Sequence, residues 1–236
     1  MLEPRAETAA VDEARRRVEA LTRIVVRPIA SPTGLGLFGL AGATLVVSGL
    51  QLGWVDKAEG TKVGLILIAF PFLAQLLASI WSTLARDGVA TTGMGVLSLT
   101  WLSIGAVLLA SAPGEKSDAL GLLLLLSALA MLLTGVVASL SKLGIAAVFV
   151  TAALRFALSG VDQLSGNELW EDAAGVVGLL LFALAIYGAF AAELEDAQGK
   201  TVLPLGRRMK GRLALDASLD EQLKHAPNEP GVRQQL

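Results

Sequence analysis

Between residues 31 and 206 the chain alternates long apolar runs with short polar breaks, and the runs 33–55, 63–85, 89–111, 119–140, 144–160 and 173–192 each read as a hydrophobic helix. A bilayer core about 30 Å thick takes roughly 20 apolar residues per helix. The fifth run, GIAAVFVTAALRFALSG, is short and contains Arg155, so hydropathy alone leaves a five-span alternative open. Charge placement favours six. With the N-terminus inside, the inner segments hold fifteen of the nineteen basic residues, the outer loops hold only Lys57, Lys62 and Lys116, and Arg155 lies within a span. The positive-inside rule then predicts an all-α integral membrane protein, a bundle of six transmembrane helices with both termini cytoplasmic.

The flanks follow another pattern. Over residues 8–27, Val11, Ala14, Val18, Leu21 and Val25 recur at helical spacing with Glu13, Arg15, Arg16, Arg17 and Glu19 between them. This predicts an amphipathic helix within a cytoplasmic N-terminal segment, 1–30, lying on the inner membrane surface or against a neighbouring subunit. A six-helix membrane domain, 31–206, follows. The polar cytoplasmic tail, 207–236, contains Pro227, Pro230 and Gly231 and reads as partly disordered. Within the spans, Gly34, Gly36, Gly39 and Gly42 open the first, and Gly175, Gly178, Ala185 and Gly188 mark the last, a spacing suited to close helix approach. Pro71 predicts a local kink in the second span, because its missing N–H leaves a carbonyl without its helical partner.

Composition narrows the function. Of 236 residues 54% are hydrophobic and 17% charged, which leaves no room for a separate soluble catalytic domain beside six spans. There is no cysteine, and the one histidine, His225, lies in the polar tail. Thiolate, disulfide and most imidazole chemistry is therefore excluded. Paired carboxylates, metal-ligand clusters and a nucleotide-binding loop are absent from the pattern, so an enzyme, a metal site, a cofactor or an ATP-driven pump is not expected. A net charge of −2 without aromatic interleaving of the basic residues argues against a nucleic-acid partner. Permeation, passive or ion-coupled, remains.

Polar residues inside spans are costly in hydrocarbon and hence informative. Thr44 and Ser48 share a face of the first span, and Gln75 and Ser79 a face of the second, as two polar strips suited to line a pathway; Ser98 adds a hydroxyl in the third. Each hydroxyl has an alternative in bonding its own helix backbone. The Gln75 amide, with two donors and an acceptor, is open between pore lining and a lock between helices. Arg155 must find water, a carboxylate or carbonyls; it either attracts an anion or reaches a headgroup or Asp162.

Several of these residues carry a resemblance. The first span opens Ser31-Pro32-Thr33-Gly34-Leu35-Gly36-Leu37, Gln75 is followed by Ala78, and Gly166-Asn167 precedes the last span. The membrane domain closes with Ala185-Ile186-Tyr187, Glu193 and Gly199-Lys200-Thr201-Val202-Leu203-Pro204-Leu205-Gly206. Together they resemble the acetate uptake transporter family, which includes the succinate-acetate permeases, as a divergent member. Ser31, Pro32, Leu35, Gly36 and Leu37 form the family signature; the segment departs from the family at Ser31, where it has asparagine, and at Gly34, where it has a second proline. The resemblance implies a pore through each protomer, a ring-shaped homo-oligomer, hexameric in the family, and passage of acetate or succinate with or without a proton. It also places the pore constriction at Leu40, Leu97 and Ala152, and puts Ser82 where the family has a glutamate.

The expected function is accordingly a channel or proton-coupled transporter for small monocarboxylates in a bacterial inner membrane. A channel for a neutral solute such as urea, ammonia or undissociated acid is the alternative. A non-transporting membrane scaffold, working through its two polar flanks, is the alternative of another class.

Overall fold

The computed structural model describes residues 12, 13, 16, 30–209 and 211. Asp12, Glu13 and Arg16 are helical; the rest of the expected amphipathic helix, and the tail beyond residue 211, lie outside the described residues. Among the described residues six helical stretches have membrane length and apolarity: Thr33–Gln51, Lys57–Leu84, Gly88–Ala110, Asp118–Ser139, Leu143–Ser165 and Glu168–Gln198, here the first to sixth spans. The chain is a multi-pass, all-α membrane protein. Its fifth span is 23 residues long, which removes the five-span alternative.

Each span packs on its neighbours in sequence, and the sixth closes against the first, so the six form a ring around a common axis. In lipid no hydrophobic drive favours one helix contact over another, so close backbone approach decides the packing. Glycine supplies it at two crossings. A Cβ on Gly64 would lie 2.7 Å from the Gly105 carbonyl oxygen, joining the second and third spans, and one on Gly121 would lie 3.1 Å from the Gly160 carbonyl, joining the fourth and fifth. Part of each span faces outward instead: Leu122, Leu126, Leu129, Leu133 and Val136 of the fourth span are all exposed, as a lipid-facing surface requires.

The second span departs from a simple helix at Ile68–Phe72, a π-turn containing Pro71. The proline has no N–H to close the ordinary ladder, and the wider turn accommodates this, as sequence predicted for a local distortion. The Ser98 hydroxyl of the third span donates to the Phe72 carbonyl at 3.0 Å and ties the two spans together there.

The two ends of the ring differ. Residues 85–87 and 140–142 share one end with the chain on either side of the membrane domain; this is the terminal end. The loops 52–56, 111–117 and the turn at Gly166-Asn167 occupy the other, the loop end. Gly166 adopts φ 63°, where a side chain would be strained, and the Asn167 side chain accepts from the Leu169 N–H to start the sixth span. The family-like ending has a defined task at the terminal end. Nothing in the side chain of Lys142 caps the fifth span, and the returning chain supplies acceptors: Gly206 and Leu205 carbonyls take the N–H groups of Leu143 and Gly144 at 3.1 and 3.0 Å. Tyr187 donates to the Pro204 carbonyl, and Arg207 is paired with Glu195, its Nε 3.0 Å from Oε2.

Candidate functional site

The ring encloses a cavity at each end. The loop-end vestibule has a volume of about 110 Å³ and reaches from Lys57, Lys116 and Glu171 at its mouth to Gln51, Arg155 and Ser159. At 1.5 Å rise per residue, Asp162 lies about 5 Å and Arg155 about 15 Å inside the end of the fifth span. The terminal-end cavity, about 60 Å³, is lined by Thr33, Asp87, Met94, Lys142 and Phe149 among others. Leu40, Leu97 and Ala152 line neither cavity; each is fully buried in one apolar cluster that also contains Met94, Phe149, Trp101 and Phe156. The axis is therefore closed between the two cavities by apolar side chains.

Ion pairs cross the mouth of the vestibule. Lys116, in the loop between the third and fourth spans, donates to both oxygens of Asp162 at 2.8 Å and to Glu171 at 3.0 Å; Lys57 reaches the same Glu171 oxygen at 3.2 Å. Burial by itself pulls the Lys116 pKa down, but hydrogen bonds and Coulomb attraction from Asp162 and Glu171 outweigh it and leave the pKa raised. The ammonium is thus held charged. Asp162 is only 2% exposed, so without Lys116 it would be a buried carboxylate with no cation.

Arg155 is 1% exposed. Its Nη2 donates to the Gln51 side-chain oxygen at 3.2 Å, and the Gln51 amide nitrogen in turn donates to the Ser159 hydroxyl at 3.3 Å. The guanidinium carbon sits 5.3 Å from the centre of the Trp101 ring, which in turn packs on Phe156 with centroids 5.4 Å apart. Cation–π attraction supports the charge without cancelling it. The expected partner Asp162 is committed to Lys116, and Arg155 has no ion pair among the described residues. Its Nε is buried without a hydrogen-bond partner, as is the Ser48 hydroxyl. Both press on Gly178 of the sixth span, whose absent Cβ would meet Ser48 Oγ and Arg155 Nε at 2.1 and 2.5 Å.

Thr44 donates to its own helix at the carbonyls of Leu40 and Ala41, at 2.9 and 3.1 Å. Gln75, fully buried, donates to the Gly36 carbonyl of the first span at 3.3 Å, and its own oxygen has no partner. Ser79 donates to the Thr91 carbonyl at 2.8 Å, which turns its hydroxyl toward the third span. Of the signature residues, exposed Ser31 bonds Thr33, Pro32 precedes the first helical turn, Leu35 is half-buried, and Gly36 and Leu37 are buried where the first span meets its neighbours. Sequence reading missed Gln51, Trp101, Lys116, Ser159 and Glu171. Gln51 sits where a span ends, and Lys116 reads as a loop charge; neither position signals a partner 104 or 46 residues away.

Comparison with known proteins agrees with the resemblance noted in the sequence. A family profile described as the GPR1/FUN34/yaaH family matches residues 16–205. The succinate-acetate/proton symporter SatP of Escherichia coli (strain K12) is 27% identical over 185 residues, covering 75% of this chain and 96% of that protein. Ammonia transport outward protein 2 of Saccharomyces cerevisiae is 28% identical over 179 residues, which are 70% of this chain but 62% of the yeast protein. A solved structure of the bacterial acetate channel SatP superposes with a TM-score of 0.68 at 27% identity, covering 75% of this chain and 99% of its own. The matched profile runs through all six spans, and the chain belongs to the GPR1/FUN34/yaaH family.

Proposed function

We propose that this protein is a membrane channel or proton-coupled transporter for acetate and similar small monocarboxylates, extending to succinate, with one pore along the axis of each six-span ring. The carrying observation is the axis itself: a cavity lies at each end of the ring with an apolar cluster between them, and the larger one holds a buried cation. Leu40, Leu97 and Ala152 act as the neck, and such a constriction closes by excluding water and opens when small side-chain movements admit it. Ser48 and Gln75 each keep a buried polar atom without a partner; neither lines a cavity, so they replace part of a solute's hydration only once the neck opens. Thr44 and Ser98 spend their protons on carbonyls, so they offer lone pairs only, to water or a protonated acid. Ser79 serves helix packing in this reading. Both termini face the cytoplasm of a bacterial inner membrane. Protomers assemble as a ring-shaped homo-oligomer, a hexamer by resemblance, and the exposed apolar side chains Leu65, Ile66, Phe70, Leu73 and Leu77 of the second span supply a surface for lipid or a neighbouring copy.

The test is uptake of labelled acetate into proteoliposomes holding the full chain, with and without a pH gradient. Flux above empty vesicles is expected, and a gradient dependence identifies proton coupling; no flux above empty vesicles removes the proposal. A second reading, passage of a neutral solute such as ammonia or undissociated acid, draws on one observation: the neck offers no hydrogen-bond donor to an anion. Solute-swelling assays separate the two, since anion uptake without neutral-solute uptake counts against it.

A further inference from the structure

We infer that Arg155, oriented by Gln51 and Ser159 at the inner end of the loop-end vestibule, is a binding station for the carboxylate of the permeating solute, and that it makes the pore select the ionised form. This rests on the permeation reading and deepens it. Burying a guanidinium is costly unless a carboxylate or a full set of acceptors compensates it. Here a single amide oxygen accepts from Arg155, and the nearest acid on its own helix face, Asp162, is held bidentately by Lys116. The charge is left for an outside anion.

The geometry leaves a way in. Arg155 lines the vestibule, and its Nη1 makes no hydrogen bond among the described residues yet is not among the sealed polar atoms, unlike Nε. Nη1 and Nη2 form one edge of the guanidinium fork, the edge that matches two carboxylate oxygens. The guanidinium carbon lies over the Trp101 ring, and Gln51, with its nitrogen turned to Ser159, presents oxygen to Nη2. An arriving carboxylate pairs with Nη1 and competes with that neutral oxygen for Nη2. The vestibule's 110 Å³ holds several waters, and hence a carboxylate of a few heavy atoms. At the mouth, Lys57 and Lys116 are offset by Glu171 and Asp162, while Glu115 is exposed and accepts from the Ala112 N–H. Solvent screens Glu115, so the cation at the inner end sets the local sign.

The decisive variant is Gln51→Glu, which places a carboxylate beside Nη2 in nearly the same shape. It supplies the missing counter-ion from within, so thermal stability is held or raised while acetate loses its site. Acetate binding to the purified full chain is followed by ligand-observed NMR and by tryptophan fluorescence, with acetamide and chloride as comparison solutes. Uptake of acetate and acetamide is measured in proteoliposomes. Acetate binding is expected to fall at least about tenfold in Gln51→Glu and in Arg155→Gln, whereas Arg155→Lys keeps a preference for acetate over acetamide. Retention of wild-type acetate affinity, within about twofold, in Gln51→Glu overturns the inference even if Arg155→Gln fails to fold. A chain that binds acetate in this Arg155-dependent way but passes none keeps the station and loses the permeation reading. One that passes acetate equally well with Gln51→Glu does the reverse.

Discussion

Replacing Gly178 by alanine adds one methyl group at the point where three spans meet. Its Cβ would stand 2.1 Å from Ser48 Oγ and 2.5 Å from Arg155 Nε, against the 3.4 Å at which ordinary contact begins. Neither neighbour has an easy retreat, because Ser48 and Arg155 are 0% and 1% exposed and the guanidinium is wedged against Trp101. Overpacking of this kind costs about 1–3 kcal/mol. Alanine recovers about 0.5–1 kcal/mol over glycine inside a helix, leaving a net loss of up to roughly 2.5 kcal/mol. Gly60→Ala is the control: its Cβ would meet only Leu108 Cδ2 at 3.7 Å, an ordinary contact, so stability is kept or slightly raised. Adding Ser48→Ala to Gly178→Ala removes the nearer clash together with an unpartnered hydroxyl. The double variant should therefore be more stable than the sum of the single changes indicates. Unfolding in mixed micelles with increasing dodecyl sulfate, followed by tryptophan fluorescence, measures wild type, Gly60→Ala, Gly178→Ala, Ser48→Ala and the double variant. If Gly178→Ala unfolds no earlier than Gly60→Ala, the packing argument fails.

Lys116→Met leaves Asp162 without its cation; breaking a fully buried pair costs roughly 3–5 kcal/mol, and partial exposure of Lys116 reduces this to about 1–3 kcal/mol in the same unfolding assay. Because the folded-state pKa of Lys116 is raised, its stabilising contribution is complete below its ordinary 10.5 and is lost as pH rises through the folded value, so wild type and Lys116→Met should converge only in strong alkali. Leu40→Ala or Leu97→Ala should speed acetate flux in proteoliposomes by widening the neck, and a lower flux in properly folded protein would move the constriction elsewhere. Tyr187→Phe removes the hydrogen bond to Pro204 and should cost about 0.5–1.5 kcal/mol. Glu195→Ala removes the carboxylate that holds Arg207 and should cost more, with protease sensitivity rising around residue 206 as the readout.

How much of this was legible in the sequence depends on range. The number of spans followed from apolar runs and charge placement, yet the fifth run stopped at residue 160 while the helix continues to Ser165. A hydropathy window counts Asp162 as an interruption; in the folded chain Lys116 neutralises it at a cavity wall, so the helix need not end there. The sixth span, expected at 173–192, extends over Glu168–Gln198 because Asn167 caps it and Glu168 and Glu171 suit the positive end of a helix. The first ends at Gln51 rather than at residue 55, where Gly53 turns the chain at φ 72°. Arg155 was conspicuous as the one ionisable residue well inside a predicted span. Its acceptor was not, because Gln51 lies 104 residues away and the two side chains meet only inside the closed ring. The glycines announced close packing; which crossing each one serves follows from the ring.

The three lysines assigned to the outer side bear on topology. A positive-inside argument counts basic residues whatever acids stand nearby, so exceptions weaken it unless they have another reason to be there. Each has one: Lys57 and Lys116 hold the vestibule mouth through Glu171 and Asp162, and Lys62 pairs with Glu59 at 3.0 Å. With these set aside, the bias toward the terminal end is stronger than the raw count, and the orientation can be tested on a clean background because the chain has no cysteine. Ala112 is exposed in a loop-end segment, and Gly88 at the terminal end has open space where a Cβ would stand. In intact spheroplasts, a membrane-impermeant maleimide should label Ala112→Cys directly, and Gly88→Cys only after permeabilisation. Labelling in the opposite order would place the loop-end vestibule, and with it Arg155, on the cytoplasmic side.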